Sequence, residues 1–306
     1  MRDSMISIIT AVHNQLAVNR VFLDTLQKNT STPYELIIVD NHSTDGSLEL
    51  FEQAGAIMIK NPENHCYPDS QNMGMSIAKG DYFAFLNNDI YLAPNWDTQA
   101  IQAMEKHDLD IASLGGFEVL EDPLRRRKYF QRWKWLRRGR RHLKMNTEQL
   151  KKLVDNVYGR KGFEAWSLNE ASEQHGHVYP GLNGAAVITT RKAWDIMKEW
   201  DVQMEGADWD LAIRTGKMSA EVGNIKPAHI IPSALHHHFS RVTFHSEPEP
   251  RACDHSHRKI EDKWTQEEIQ KYGPHLPQDT SWRSDVRRWV KKLRITRTKV
   301  DREKVG

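Results

Sequence analysis

The chain has 306 residues, of which 39% are hydrophobic and 27% charged, and it contains ten Trp. At roughly 100–200 residues per domain, it can form one large domain or two packed ones, and its apolar content excludes disorder of the whole chain. No window approaches the ~20 apolar residues of a membrane span, and the first apolar run lacks the cleavage site of a secretory signal. We therefore expect a cytoplasmic protein in which Cys66 and Cys253 are free thiols.

Charge is distributed unevenly along the chain, although the net charge is only +2. Residues 125–144 contain 11 Lys or Arg and no acid, and residues 282–306 contain 10 Lys or Arg and three acids. The remaining residues comprise 22 basic and 38 acidic side chains. Two concentrated basic segments on an acidic body predict a polyanionic surface as partner.

Strand and helix patterns alternate through the first 120 residues. Apolar, β-rich runs predict strands at residues 6–12, 35–40, 56–60 and 81–87, and helical spacing predicts helices at 15–29, 47–53 and 69–78. This alternation predicts an α/β fold with a mainly parallel sheet flanked by helices. Asn14, Asp40 and Asp89 follow predicted strands, and ligands of such sheets bind at the carboxyl ends of the strands.

The pattern changes beyond residue 120. Residues 121–177 form a basic insert and connector with a helical stretch at 147–157. Residues 178–245 form a second ordered block, with strands predicted at 184–190 and 225–231 and helices at 191–200 and 208–215. Residues 246–306 are predicted to be a helical appendage with a basic, amphipathic tail.

Several short motifs occur in order at the predicted strand ends. They are residues 8–14, 35–41, 43–47, 61–64, 72–74, 80–82 and 86–89. Over these residues, and again over 181–214, the chain resembles the family-2-like glycosyltransferases of the GT-A fold, which are inverting enzymes. The resemblance implies transfer of a sugar from a nucleoside diphosphate to an acceptor hydroxyl, with residues 1–120 as the donor half.

The resemblance also implies residues for the donor site. Asp40 would accept the imide N–H of uracil or thymine, which favours a UDP- or dTDP-linked sugar. The other implied donor-binding residues are Thr10, Val12, Asn14, Asn41, Asn64, Asn72, Asn88 and Gly184. Simpler roles stay open: Asp40 as a helix cap, Asn14 as a turn former, and Gly184 as a small residue in a packed strand.

Asn87-Asn88-Asp89 stands where the family has its Asp-x-Asp motif, so Asp89 is the implied ligand of Mn²⁺ or Mg²⁺. Asn87 departs from the paired acids of that motif, and a simple turn is the alternative. Of the three consecutive histidines, the resemblance favours His237 over His236 and His238 at the metal or diphosphate site. A zinc site that adds Asp254, His255 and His257 is a weaker alternative, because no zinc-type spacing supports it.

The resemblance places the acceptor side and the catalytic base in residues 178–245. Asp208 is the implied base that removes the proton of the acceptor hydroxyl, and Asp210 is a supporting acid. Ala207 stands where the family usually has Glu. The alternative for Asp208 is a helix-start residue favoured by the helix dipole.

The basic segments suggest where the acceptor lies. Tail residues Trp282, Val286, Trp289, Val290 and Leu293 form one apolar stripe, which is typical of a helix at an anionic membrane surface. Tyr129, Trp133 and Leu136 repeat this pattern in the insert, which could also be a lid. We expect a cell-surface or lipid-linked glycan acceptor and peripheral attachment to the inner face of a membrane. The alternatives are a nucleic-acid acceptor, packing on the protein's own core, and a non-catalytic protein that binds nucleotide-sugars or polyanions.

Overall fold

The computed structural model describes residues 4–138, 145–240 and 258–274. The strands are β1 (Ile6–Val12), β2 (Tyr34–Asn41), β3 (Ile57–Asn61), β4 (Tyr82–Leu86), β5 (Ile90–Leu92), β6 (Ile111–Gly115), β7 (Tyr179–Pro180), β8 (Ala186–Thr190) and β9 (His229–His238). The helices are α1 (Leu16–Asn29), α2 (Ser47–Gln53), α3 (Tyr67–Ile77), α4 (Trp96–His107), α5 (Pro123–Arg138), α6 (Thr147–Tyr158), α7 (Gly162–Glu173), α8 (Arg191–Met197), α9 (Ala207–Glu221), α10 (Ile260–Lys263) and α11 (Gln266–Tyr272).

The strands form one sheet in the order β3-β2-β1-β4-β8-β6-β9-β5, with β7 beside β9. The first four neighbours run parallel, β8 is antiparallel to both β4 and β6, and β6 and β9 are parallel. The α/β fold predicted from the alternating pattern, with a mainly parallel sheet flanked by helices, is therefore confirmed.

Apolar residues on both faces of the central strands hold the helices in place. Successive side chains of a strand point to opposite faces, and Ile8 and Ile9 accordingly belong to different cores. Helix α3 approaches the sheet closely at Gly74, where an added Cβ would lie 2.4 Å from Cγ2 of Ile9. Glycine at this position lets α3 pack directly on β1.

The insert packs as a layer of the domain. Helices α5, α6 and α7 share one apolar cluster with α1 and β9, and the connector predicted to precede residue 177 contains α7. Trp133 is 2% exposed, and Tyr129 and Leu136 pack on the same cluster. The prediction that these three residues form a membrane-facing stripe was therefore wrong, because they lie on the inner side of α5.

Several element boundaries differ from those predicted. Strand β9 begins at His229 rather than at residue 225 and runs through Pro232 to His238, and α9 extends to Glu221. The structure includes two short helices of the appendage, α10 and α11. The predicted stripe at 282–293, Cys253 and the zinc candidates at 254–257 lie outside the described residues. Within the described ranges, no helix combines the length and apolar character needed to cross a membrane.

Candidate active site

A network of amides and hydroxyls joins the loops that follow β1, β2 and β4. Asn14 adopts a left-handed conformation with φ 54°, and its backbone N–H donates to Oγ of Ser43 at 2.9 Å. The backbone N–H of Thr44 donates to Oδ1 of Asn14 at 2.8 Å. Asn19 donates to the carbonyl of Asn14 and accepts from Nδ2 of Asn88, at 2.8 and 2.7 Å. Asn14 and Asn88 therefore shape this edge of the sheet.

Two buried oxygens at the same edge have no hydrogen-bond partner among the residues that the structure describes. Asp40 is 3% exposed; its Oδ2 accepts from the backbone N–H of Ser43 at 3.1 Å, and its Oδ1 is unpartnered. The hydroxyl of Thr10, on the neighbouring strand, is also buried and unpartnered. Val12 lies opposite Asp40 in the β1–β2 register. Because an unpaired buried carboxylate oxygen is costly, Asp40 Oδ1 is suited to accept a hydrogen bond from a ligand.

Two other predicted donor-binding residues use their amides within the protein. Asn72 donates to the carbonyl of Trp200 and accepts from its N–H, both at 2.9 Å, so it clamps α3 to the loop after α8. Asn41 bonds Ser70 at 3.0 Å and Asn61 at 2.8 Å. These contacts give both residues a structural role, and their predicted donor-binding role stays a prediction. Asn64 lies half-buried in the loop before α3.

A histidine bridges two carboxylates at the end of the antiparallel β5–β9 pair. His238 Nε2 lies 3.3 Å from Oδ1 of Asp89, and its Nδ1 lies 2.9 Å from Oε2 of Glu118. Burial alone would lower the pKa of His238, but the two carboxylates raise it to about 10. Burial would raise the pKa of Glu118, and the contact with His238 holds it below its usual value. The two carboxylates therefore favour the charged form of His238.

His237 points away from this cluster, which corrects the choice made among the three histidines. Strand β9 pairs with β5 so that His236 and His238 share one face and His237 faces the other. His237 is fully buried, its Nδ1 lies 3.0 Å from the hydroxyl of Tyr158, and its ring lies 4.9 Å from that of Trp133. Burial lowers its pKa well below the usual range. Its role is to anchor the insert helices.

The loop before β8 connects the Asp89 cluster to α9. Asn183 Nδ2 lies 3.4 Å from Nε2 of His236, and the carbonyl of Ala185 accepts from the backbone N–H of Asn87 at 2.9 Å. Between them, Gly184 packs against Asp208, because an added Cβ would lie 2.2 Å from Asp208 Oδ2. A glycine at 184 is thus required by the position of that carboxylate.

Asp208 is a carboxylate in a partly desolvated position. Burial raises its pKa above the usual value, and backbone hydrogen bonds oppose that shift. The Tyr67 hydroxyl is buried and unpartnered. Desolvation is the main cause of its raised pKa, and the charge of Asp208 adds to it. A carboxylate with a raised pKa is a better proton acceptor than an exposed one, which suits a general base.

Asp210 lies on the opposite side of α9. It is fully buried and accepts from Nε1 of Trp264 at 2.8 Å and from Nζ of Lys263 at 2.7 Å. Nε of Arg214 lies 3.7 Å from Oδ2 of Asp210. Asp210 therefore anchors the α10 segment, and its role as a supporting acid stays a prediction.

The side chains around Asp89 offer oxygen atoms, which are the ligands that Mg²⁺ and Mn²⁺ prefer. Asp89 is a buried carboxylate, and the amides of Asn87 and Asn88 precede it in the same turn. In the parts of the chain that the structure describes, no group of three metal-ligating side chains is preformed. Mg²⁺ is commonly held by one or two carboxylates together with substrate phosphates. The residues present fit a cation whose coordination the substrate completes.

Sequence reasoning missed two residues of these networks. Glu118 was hidden in the apolar stretch after β6, although a single acid between Phe117 and Val119 signals a buried carboxylate that needs a partner. Asn19 lies inside a helix, where its amide is fully buried and joins the loops of three strands. Its position on the buried face of α1 was the available signal.

Comparison with known proteins identifies the family of this chain. The family model "Glycosyl transferase family 2" matches residues 7–166, which include β1 to β6 and the Asn87–Asp89 turn. The chain belongs to glycosyl transferase family 2. Family 2 membership agrees with the GT-A architecture of the sheet.

Individual relatives match this family 2 chain over shorter stretches. An uncharacterised glycosyltransferase of Haemophilus influenzae is 31% identical over 104 residues, which is 34% of this chain and 35% of that protein. A poly(ribitol-phosphate) beta-glucosyltransferase of Bacillus spizizenii is 34% identical over 95 residues, 28% of this chain and 15% of that one. The matched stretches thus span 35% and 15% of the length of these two relatives.

Among solved structures, a mannosyltransferase from Pyrobaculum calidifontis, in complex with GDP-Man and Mn²⁺, has a TM-score of 0.49 and 12% identity. The similarity covers 78% of this chain and 57% of that one.

Proposed function

We propose that this family 2 protein is a glycosyltransferase that moves one sugar from a nucleoside diphosphate to an acceptor hydroxyl with inversion. The observation that carries the proposal is the loop at residues 183–185. Gly184 packs against Asp208, and Ala185 bonds the first residue of the Asn87–Asp89 turn. Asp208, the proposed proton acceptor, and the turn with Asp89, the carboxylate proposed to bind a metal ion, therefore lie on either side of one short segment.

In this mechanism Asp208 removes the proton of the acceptor hydroxyl as its oxygen bonds to the anomeric carbon. The bond from that carbon to the diphosphate oxygen breaks on the opposite face, which inverts the configuration. Asp89 would hold Mn²⁺ or Mg²⁺, with His238 beside it, and the ion would neutralise the charge of the leaving diphosphate. Asp40 Oδ1, Thr10 and the loop shaped by Asn14 bind the nucleotide.

The donor proposed is a UDP- or dTDP-linked sugar, because a carboxylate oxygen without a partner matches the imide N–H of uracil or thymine. The acceptor proposed is a glycan or lipid-linked glycan at a polyanionic surface, with an anionic membrane favoured over nucleic acid. Basic residues concentrated on α5 support a polyanionic surface.

A thermal-shift screen tests this function. UDP-, dTDP- and GDP-sugars are added to the purified chain with and without Mn²⁺, and release of nucleotide is followed in the same samples. A ligand at 100 times its Kd adds about 2.7 kcal/mol to the stability of the native state, so a uridine or thymidine donor should raise the Tm with Mn²⁺ present.

Three outcomes separate the alternatives. The absence of any shift contradicts the proposal. A shift without nucleotide release, with any acceptor preparation, indicates a non-catalytic binding protein. Sugar transfer to hydroxylated bases of DNA, and none to glycans, indicates the nucleic-acid enzyme.

A further inference from the structure

Helix α5 has an inner face that is firmly attached to the protein. Trp133 lies in the aromatic cluster and its Nε1 donates to the carbonyl of Ser240 at 3.4 Å. Arg125 forms a two-point contact with the buried Glu170, with Nη1 and Oε1 3.0 Å apart. The orientation of the helix is therefore fixed, and so is the set of side chains that it turns outward.

The outer face of α5 exposes large apolar side chains. Leu124 is 59% exposed and Trp135 is 73% exposed. These residues are three helical turns apart and on the same side, with Lys128 at i+4 and Gln131 at i+7 between them. Phe130, 43% exposed, lies at the margin of this face. The face therefore presents one large apolar side chain near each end of the helix, with polar residues between them.

The same face carries charge of one sign. Helix α5 contains eight Lys or Arg and no acid. Lys128, Arg132, Lys134 and Arg138 are exposed. A helix with exposed Trp and Leu among Lys and Arg lies favourably in the headgroup region of an anionic bilayer, where each cation near the surface contributes about 1 kcal/mol.

We propose that the outer face of α5, defined by Leu124, Lys128, Lys134, Trp135 and Arg138, docks the protein on an anionic lipid surface. Docking itself is independent of sugar transfer. The consequence that the acceptor is presented at that surface rests on the proposed function. Trp133 links the docking face to the candidate active site, because it packs against the ring of His237. His237 directly precedes His238, which lies beside Asp89.

Charge and side-chain chemistry disfavour the other occupants of this face. The chain's own tail, residues 282–306, has 10 basic and three acidic side chains, so it is repelled by α5. Nucleic acid would pair with the cations and stack on Trp135, but it offers nothing apolar to Leu124 at the other end of the face. Acyl chains and headgroups satisfy both ends.

Sedimentation with vesicles tests the proposal on the full chain without any donor. The vesicles contain phosphatidylcholine alone or with phosphatidylglycerol. We expect binding only to the anionic vesicles, weakened about fivefold in Trp135→Ala and about tenfold or more in the Lys134→Glu, Arg138→Glu double variant. Controls elsewhere on the protein are Val222→Ala, at a 66% exposed residue in the turn after α9, and Lys192→Glu, 70% exposed on α8; both should bind as the wild type does.

Unchanged vesicle binding in both α5 variants overturns the proposal, and so does equal weakening in the controls. Loss of retention on duplex DNA in the α5 variants, with vesicle binding unchanged, assigns the face to nucleic acid instead. Thermal melting of each variant checks the fold. Nucleotide release in free solution should be unchanged in Trp135→Ala, so a failure of docking is distinguishable from a failure of the proposed enzyme function.

Discussion

The donor edge, formed by the ends of β1 and β2, and the catalytic edge, formed by Asn87–Asp89, His238 and Asp208, satisfy their polar groups differently. At the donor edge neutral amides and hydroxyls bond one another, as Asn14 and Ser43 do, and the unpartnered oxygens are those of Asp40 and Thr10. At the catalytic edge charges balance one another or are desolvated. Most donor-edge amides therefore shape loops, whereas the side chains of the proposed catalytic edge carry charge.

The largest expected effect is a loss of activity that distinguishes Asp208 from Asp210, two carboxylates on α9. Asp208→Asn removes the proton acceptor and should lower kcat by about 10²–10⁴-fold while donor binding is retained. Asp210→Asn should lower the melting temperature and leave kcat nearly unchanged at temperatures where it is folded, because Asp210 bonds Lys263 and Trp264. Steady-state kinetics and thermal melting measure both. Equal losses of kcat in the two variants would contradict these roles.

Asn72→Ala tests whether a donor-edge amide is structural. Its two bonds to the backbone of Trp200 disappear, which should cost about 2 kcal/mol of unfolding free energy. Urea denaturation measures this loss. Unchanged stability together with weaker donor binding would return Asn72 to the ligand role predicted from the sequence.

Asp40→Ala tests the unpartnered oxygen directly. Loss of a hydrogen bond to a charged acceptor should raise the KM for the donor about tenfold and leave kcat unchanged. Asp45→Ala is the matched control, since Asp45 bonds the backbone N–H groups of Leu16 and Ser47 and should affect stability alone. An unaltered KM in Asp40→Ala would remove base recognition from this residue.

The smallest effect is a shift in pH dependence. Burial raises the pKa of Asp208, and a base works only when deprotonated, so kcat/KM should fall as the pH drops through a pKa above the usual Asp value of about 3.9. The residual activity of Asp208→Asn should lack this acidic limb. A midpoint at or below 3.9 would mean that Asp208 is not desolvated in the free enzyme.

Sequence reasoning identified the parts of the fold that local pattern determines. Strands β1 and β4 are apolar on both faces, so their runs are readable without any tertiary information. The sequence does not reveal which of the three histidines faces Asp89, because β9 passes through Pro232 and its register to β6 shifts between Leu114 and Gly115. No local pattern contains that shift, and a shift of one residue decides which histidine faces Asp89.

The contacts of Asp210 and Asn72 differ in how predictable they were from the sequence. Asp210 is two positions from Asp208, about 200° around a helix, so helical geometry alone already opposed a shared role. The partner of Asn72 lies 128 residues away, beyond the reach of any local rule.

The aromatic cluster around His237 has a consequence for protein engineering. Trp133 and Tyr158 contact His237, whose neighbour in the chain, His238, lies beside Asp89 in the proposed reaction centre. In a chimera between family 2 proteins, helices α5 to α7 and strand β9 therefore have to be exchanged together. In a chimera that receives these helices without the matching strand, the ring of His237 would fit its surroundings poorly. The misfit would disturb the proposed reaction centre, although no imported residue contacts it.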